Sequence, residues 1–310
     1  MVMDAKRMKP LLFLLVVLFT ISGQSLAADR GWDHLTFSKP EDVVQFFHSI
    51  HYSLADWQAG DRSVPRVYLS NIPERWRTQY AGELSTADKK RYFFFMLAPM
   101  VLRANETISR QRAFIEGMQQ VKQWSAADLA QLQDIAREYK VDAPSVLDDQ
   151  AAFSALLARV DSVPASLAMA QAAIESGWGT SRFASEGNAL FGQWTWGEGA
   201  IVPERVRTEL GNYGIKAFHT PFESITAYMH NLNTHPAYEL LRELRAEARQ
   251  QGKPLSGREL AAGLMKYSER GADYVKELKA LIRVNQLGEV DKAYLRDNKA
   301  VVLEPVGEEI

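Results

Sequence analysis

The 310-residue chain contains no cysteine. That absence excludes disulfides, thiolate-held zinc, iron–sulfur clusters and thiol nucleophiles. An excess of either charge is missing too, since 36 lysine and arginine residues face 38 acidic ones for a formal net charge of −2. Nothing in that balance recruits a polyanion, so nucleic acid is not an expected partner. Glycine (19) and proline (12) are too sparse for a collagen-like or wholly disordered chain. The six histidines, His34, His48, His51, His219, His230 and His235, do not take the His-Glu-x-x-His spacing of a zinc helix. Neither a Gly-x-Ser-x-Gly elbow nor a phosphate loop occurs, so no metal and no cofactor is expected. What remains is a composition 46% hydrophobic, enough for one large or two modest domains with a proper core.

Residues 1–27 read as a signal peptide. Lys6, Arg7 and Lys9 form a basic front, residues 11–21 are apolar apart from Thr20, and Ser25, Leu26 and Ala27 supply the small residues of a cleavage site. The apolar run is short of the roughly 20 residues a membrane span needs, so no stable span is expected after cleavage. An uncleaved anchor is the rival reading. An exported chain without disulfides fits a bacterial envelope, and periplasmic localisation is expected.

In residues 40–57, Val43, Phe47, Ile50, Leu54 and Trp57 recur at spacings of four and three, which predicts an amphipathic helix with Ser38 and Glu41 as a capping box. Residues 60–72, with Pro65, read as a connecting loop. A second helical tract covers about 87–120, bent at Pro99, and a third opens at Ser125 with Asp128 three residues on. The N-terminal region, 28–150, thus reads as a packed helical scaffold. Residues 191–218 change character: Trp194 and Trp196, then Val206, Tyr213 and Ile215 around Gly211 and Asn212, are a hairpin signature. Further helices follow from about 222, 236, 256 and 272. The end of the acidic tail, 291–310, reads as frayed from 301 onward, with Glu304, Glu308 and Glu309. A mostly helical body with one small β insertion is an α+β plan.

The segment 162–179 is the most informative. Pro164 suits a helix first turn, and Ala168, Ala170, Ala172 and Ala173 let neighbours pack close. Glu175 then falls at the carbonyl end of a buried-looking helix, where the dipole and desolvation by Ile174 and Trp178 both raise a carboxyl pKa. A carboxyl kept protonated near neutral pH can protonate a glycosidic oxygen. From the residues alone, a Glu that frays at a helix end or caps local amides fits equally.

The run Ala172-Ala173-Ile174-Glu175-Ser176-Gly177-Trp178-Gly179-Thr180-Ser181, followed by Asn188-Ala189-Leu190-Phe191-Gly192, resembles the glucosaminidase domain of flagellar and autolysin-type peptidoglycan hydrolases. Asn231-Leu232-Asn233-Thr234-His235-Pro236-Ala237-Tyr238 and Tyr267-Ser268-Glu269-Arg270-Gly271 with Tyr274 resemble the Bax-like proteins within that superfamily. So does the stretch 93–112, with Pro99, Asn105 and Arg110. The likeness spans about residues 90–286, and 28–89 lie outside it. It implies a lysozyme-like glucosaminidase domain over 151–290, with Glu175 as general acid and the β insertion as one wall of the cleft. It also implies peptidoglycan glycan strands as the partner and endo-beta-N-acetylglucosaminidase activity. A second acid, where the family has one, maps to Glu209, with Glu198 and Glu204 as rivals and a solvated hairpin charge as the plain alternative. Tyr267, then Tyr274, map to cleft-lining tyrosines, although Tyr267 also fits simple packing. Ser176, Trp178, Asn188 and Phe191 are candidate substrate-binding positions, and Gly192 is expected to permit close backbone approach. Trp194 and Trp196 are expected either to stack on sugar faces or to pack.

Two other functions compete. Lytic transglycosylases place a Glu-Ser pair at a helix end but follow it with a Gly-Leu-Met-Gln type block, where this chain has Asn188-Ala189-Leu190-Phe191-Gly192-Gln193. A non-catalytic envelope protein with a degenerate cleft is the other.

Overall fold

The structure, a computed structural model, describes residues 31–120, 123–142, 146, 149–204 and 213–307. The expected signal peptide lies outside the described residues. The chain divides into two units, and every helix and strand described lies in the second, Asp33–Ile310. Among the described residues no helix is long and apolar enough to cross a membrane.

The amphipathic stretch expected over 40–57 folds as two helices, α1 (Pro40–Ser49) and α2 (Leu54–Gln58). His51 between them takes a left-handed backbone, φ 53°. Ser53 then restarts the helix: its hydroxyl accepts from the Asp56 amide while Asp56 accepts from the Ser53 amide at 2.9 Å. The box expected of Ser38 and Glu41 is corrected. Asp42 accepts from the amides of Ser38 (3.0 Å) and Lys39 (3.2 Å), because it reaches back over the open amides of the first turn. The long helix α3 (Thr86–Met118) runs through Pro99 without interruption and buries Phe93, Leu97, Met100, Val101 and Ile115.

Two readings of the ends are overturned. Residues 60–72 are more than a loop, since they carry β2 (Ser63–Val64) and β3 (Val67–Leu69). Residues 301–305 are not frayed but form β7 (Val301–Pro305), the middle strand of a parallel sheet between β1 (Asp33–Phe37) and β3. Leu303 aligns with Leu35 and Leu69 and is fully buried. A strand buried between two neighbours reads as a short apolar run, without the alternation that identifies half-exposed strands. The acid beside it, Glu304, is held by His34 Nδ1 at 2.7 Å. A second pairing joins β2 to β6 (Tyr294–Leu295). An apolar cavity of about 100 Å³, lined by Val43, Ile72, Trp76, Leu97 and Leu190 among others, lies beside this sheet, and Glu175 is not part of its lining.

The rest is helical: α4 (Ala126–Glu138), α5 (Gln150–Arg159), α6 (Ala165–Glu175), α7 (Arg182–Gly187), α8 (Pro221–Thr234), α9 (Glu239–Gln250), α10 (Gly257–Leu260) and α11 (Ala272–Val284). The cap expected at Ser125 is present, its hydroxyl accepting from the Asp128 amide at 3.1 Å. Helix α6 is buried on every side from Ala165 to Ala173, and α3, α10 and α11 pack around it. Its alanines make that possible, because a helix surrounded by helices has room only for small side chains on some faces. The start of α6 is pinned by Asp291, which accepts from the Ser166 amide (2.8 Å), the Ser166 hydroxyl (2.7 Å) and the Gly257 amide. Within the segment expected to form a hairpin, β4 (Trp194–Thr195) pairs antiparallel with β5 (Gly214–Ile215), and the turn expected at Gly211 and Asn212, with Val206, lies outside the described residues.

Candidate active site

Glu175 is the last residue of α6, and Gln171 sits one turn before it, on the same face. The chain then reverses through three successive left-handed residues: Gly177 (φ 57°), Trp178 (65°) and Gly179 (76°). Glycine takes that conformation freely, whereas Trp178 is held there from outside. The Trp76 indole donates to the Trp178 carbonyl at 3.0 Å, and the Trp178 ring packs edge-on against Phe93 (5.8 Å) and Phe94 (5.3 Å) of α3. Ser176 closes the turn from within, its hydroxyl donating to the Ala172 carbonyl (2.6 Å) and accepting from the Gly179 amide (2.8 Å). The Glu-Ser-Gly-Trp-Gly run is therefore a helix stop that leaves the Glu175 side chain at the end of α6.

Around that carboxyl stand tyrosines. The Tyr274 hydroxyl of α11 donates to Glu175 Oε1 at 2.8 Å. Tyr274 also accepts from Gln171 Nε2 (2.9 Å), while Gln171 Oε1 accepts from Tyr228 of α8 (2.6 Å). The Tyr267 ring lies parallel to that of Tyr274, centroids 5.6 Å apart, and Tyr238 packs on Tyr267 at 5.9 Å. Phe191 stacks on Tyr228 at 3.8 Å and 7°, and its carbonyl accepts a long hydrogen bond from the Tyr267 hydroxyl at 3.4 Å. Burial raises the Glu175 carboxyl above its ordinary 4.5; the Tyr274 hydrogen bond opposes the rise, Glu277 adds to it and Arg270 opposes it. Burial likewise lifts Tyr267 and Tyr274 well above the usual phenol range, with Glu175 reinforcing both, so the two remain hydroxyl donors.

The structure brings Glu175, Tyr267, Tyr274 and Phe191 into one cluster. Other candidates lie elsewhere or are engaged internally. Ser176 is fully buried and spent on its own turn. Trp178 packs against α3, with Lys90 over its ring at 5.0 Å. Asn188 has a left-handed backbone (φ 51°) and acts as a staple: its carbonyl oxygen accepts from the Ile72 amide (2.8 Å), and its amide donates to the Phe218 and His219 carbonyls. Gly192 has no atom within 4 Å of where a Cβ would stand, so its φ of 60°, not close approach, is what calls for glycine. Trp194 and Trp196 are exposed, 46% and 64%, and the Trp194 ring also packs on that of Tyr213, centroids 5.0 Å apart. Glu209 lies outside the described residues; its rivals Glu198 and Glu204 are exposed. Among the described residues no group of three or more His, Asp or Glu side chains could hold a metal.

Two members of the cluster, Gln171 and Tyr228, went unnoticed in the sequence. Gln171 did leave a signal, as the one long polar side chain before Glu175 in an otherwise small and apolar helix. The arrangement sets one carboxyl of raised pKa beside a wall of neutral hydroxyls and aromatic rings, which suits proton donation to an uncharged leaving group.

Residues 150–287 match the Glucosaminidase family, described as mannosyl-glycoprotein endo-beta-N-acetylglucosaminidase. The chain is 36% identical over 203 residues to Protein bax of Escherichia coli (strain K12), an overlap that covers 65% of this chain and 72% of that protein. No solved structure matches the chain.

Proposed function

The chain belongs to the Bax-like proteins that carry a glucosaminidase domain, and from that premise we propose that it is a peptidoglycan hydrolase, an endo-beta-N-acetylglucosaminidase with Glu175 as its general acid. One observation carries the proposal. Burial raises the pKa of the single carboxyl in the tyrosine cluster, and the same carboxyl receives the Tyr274 hydrogen bond that stabilises it once a proton has left. In the reaction Glu175 protonates the glycosidic oxygen as the bond to the sugar breaks and positive charge develops on the ring; water then bonds to the anomeric carbon and gives up a proton, which restores Glu175 to its acid form. Tyr267 orients the substrate's own acetamido group or a water beside that charge, and Glu209 is the candidate second carboxylate, ranked below it. Exposed Trp194 and Trp196 offer flat apolar faces to neighbouring sugars of the strand. The basic, apolar and small-residue order of residues 1–27 supports export, and the periplasm is where such a strand would be met.

Turnover of purified sacculi tests the proposal. The expected result is solubilisation by the full chain and a loss of about 10²–10⁴-fold in Glu175→Gln, the usual worth of general acid help. Binding of sacculi without turnover would instead make this a non-catalytic envelope protein.

A further inference from the structure

We propose that Gln171 and Tyr228 are positioning residues that decide which oxygen of Glu175 carries the catalytic proton. The proposal rests on Glu175 being the general acid and adds the direction in which its proton points.

Tyr228 is buried, and its ring is fixed face to face on Phe191, so its hydroxyl cannot swing to water. Its hydrogen goes to Gln171 Oε1. Gln171 is itself fully buried, and that bond sets its amide: carbonyl toward Tyr228, NH₂ toward Tyr274. A phenol oxygen that receives the amide hydrogen has one hydrogen of its own left to place, and the geometry places it on Glu175 Oε1. Oε1 is thereby the acceptor oxygen. The proton of the neutral acid sits on Oε2, which is left for the glycosidic oxygen.

Turning the amide over would make Tyr274 donate to Gln171 and oblige Glu175 to donate inward, to Tyr274. That acid would point its proton away from substrate. It would also leave the buried Tyr228 hydrogen without its acceptor, and buried polar hydrogens in folded proteins are paired. One hydroxyl on α8 thus excludes the unproductive state of a carboxyl on α6, through two intervening side chains. The other groups that act on Glu175 are Tyr267 and Tyr238, which are neutral, and Glu277 and Arg270, which pair with each other at 2.6 Å; none of them fixes the amide.

The test uses the full chain and reads the Glu175 carboxyl directly, by carbon NMR titration, beside kcat on soluble glycan-strand oligosaccharides. Tyr228→Phe removes one oxygen at the far end of the chain of bonds. It is expected to move the Glu175 midpoint upward, because Tyr274 is no longer compelled to donate to the carboxylate, and to lower kcat about tenfold with KM within about twofold. In a Tyr274→Phe background the same change is expected to do nothing more, since the link it acts through is gone. Gln171→Met, which keeps the volume and removes the amide, is expected to reproduce the upward shift. An unmoved midpoint and kcat in Tyr228→Phe would overturn the proposal, as would an equal further shift in the Tyr274→Phe background, which is what a mere packing role gives. The two readings fail separately. Shifts in a chain with no turnover would sink the hydrolase and support the chain of bonds, whereas turnover without shifts would do the reverse.

Discussion

Glu175 stands where its ionised form is disfavoured by burial and by the carbonyl end of α6. Its folded pKa is raised, so the protonated side chain favours folding at low pH, and that contribution is lost as pH rises through the folded value. Two outcomes follow from the sign. Activity that needs the protonated acid should fall on an alkaline limb set by Glu175, above its ordinary 4.5, in a pH profile of kcat/KM. Glu175→Gln, neutral at every pH, should unfold at or above the wild-type temperature near neutrality, with the difference closing below pH 4.5. At the same scale Tyr267 and Glu209 can be ranked. Tyr267 lies against Tyr274 in the cluster, and Tyr267→Phe should lower kcat/KM more than Glu209→Gln, both at unchanged thermal stability. A larger loss for Glu209→Gln would identify the hairpin acid as the second catalytic group.

At the scale of elements, the site depends on turns as much as on helices. Asn188 ends α7 in a left-handed conformation and ties three backbone groups, at Ile72, Phe218 and His219, to one side chain. Asn188→Ala should cost about 1–3 kcal/mol in chemical denaturation, the price of leaving buried amide and carbonyl groups unmade, and Asn188→Gly should restore only the backbone part. This scale was unevenly legible in the sequence. The cap at Ser125, the strand pairing around Trp194 and the end of α6 at Glu175 are local, so neighbouring residues announce them. The break between α1 and α2 escaped notice because the apolar spacing of four and three continues across it, and only the capping pair Ser53 and Asp56 marks the restart. The contacts that gather around Glu175 are another matter, since Tyr274 was expected only through the resemblance and Tyr228 not at all. Tyr228 and Tyr274 come from helices 53 and 99 residues downstream, and spacing within one helix says nothing about them.

At the scale of the whole molecule, the last strand holds the first. β7 lies between β1 and β3 with its Leu303 fully buried, so both neighbours lose their hydrogen-bonding partner when it is absent. Deleting residues 298–310 should open residues 33–70 to trypsin and lower the unfolding temperature, whereas a frayed tail could be removed without effect. None of this pairing was visible beforehand, because β2, β3 and β6 are two or three residues long and β1 and β7 meet across more than 260 residues of chain. The α+β plan and the mostly helical body were visible, since long periodic helices such as α3 dominate the count of elements.

The central claim, that Glu175 drives hydrolysis of glycan strands, is tested most directly by mass spectrometry of the products that the full chain releases from purified sacculi, with Glu175→Gln as control. Fragments with reducing N-acetylglucosamine ends are expected, and none with the variant. Anhydro-muramic ends, or equal release by Glu175→Gln, would contradict that claim.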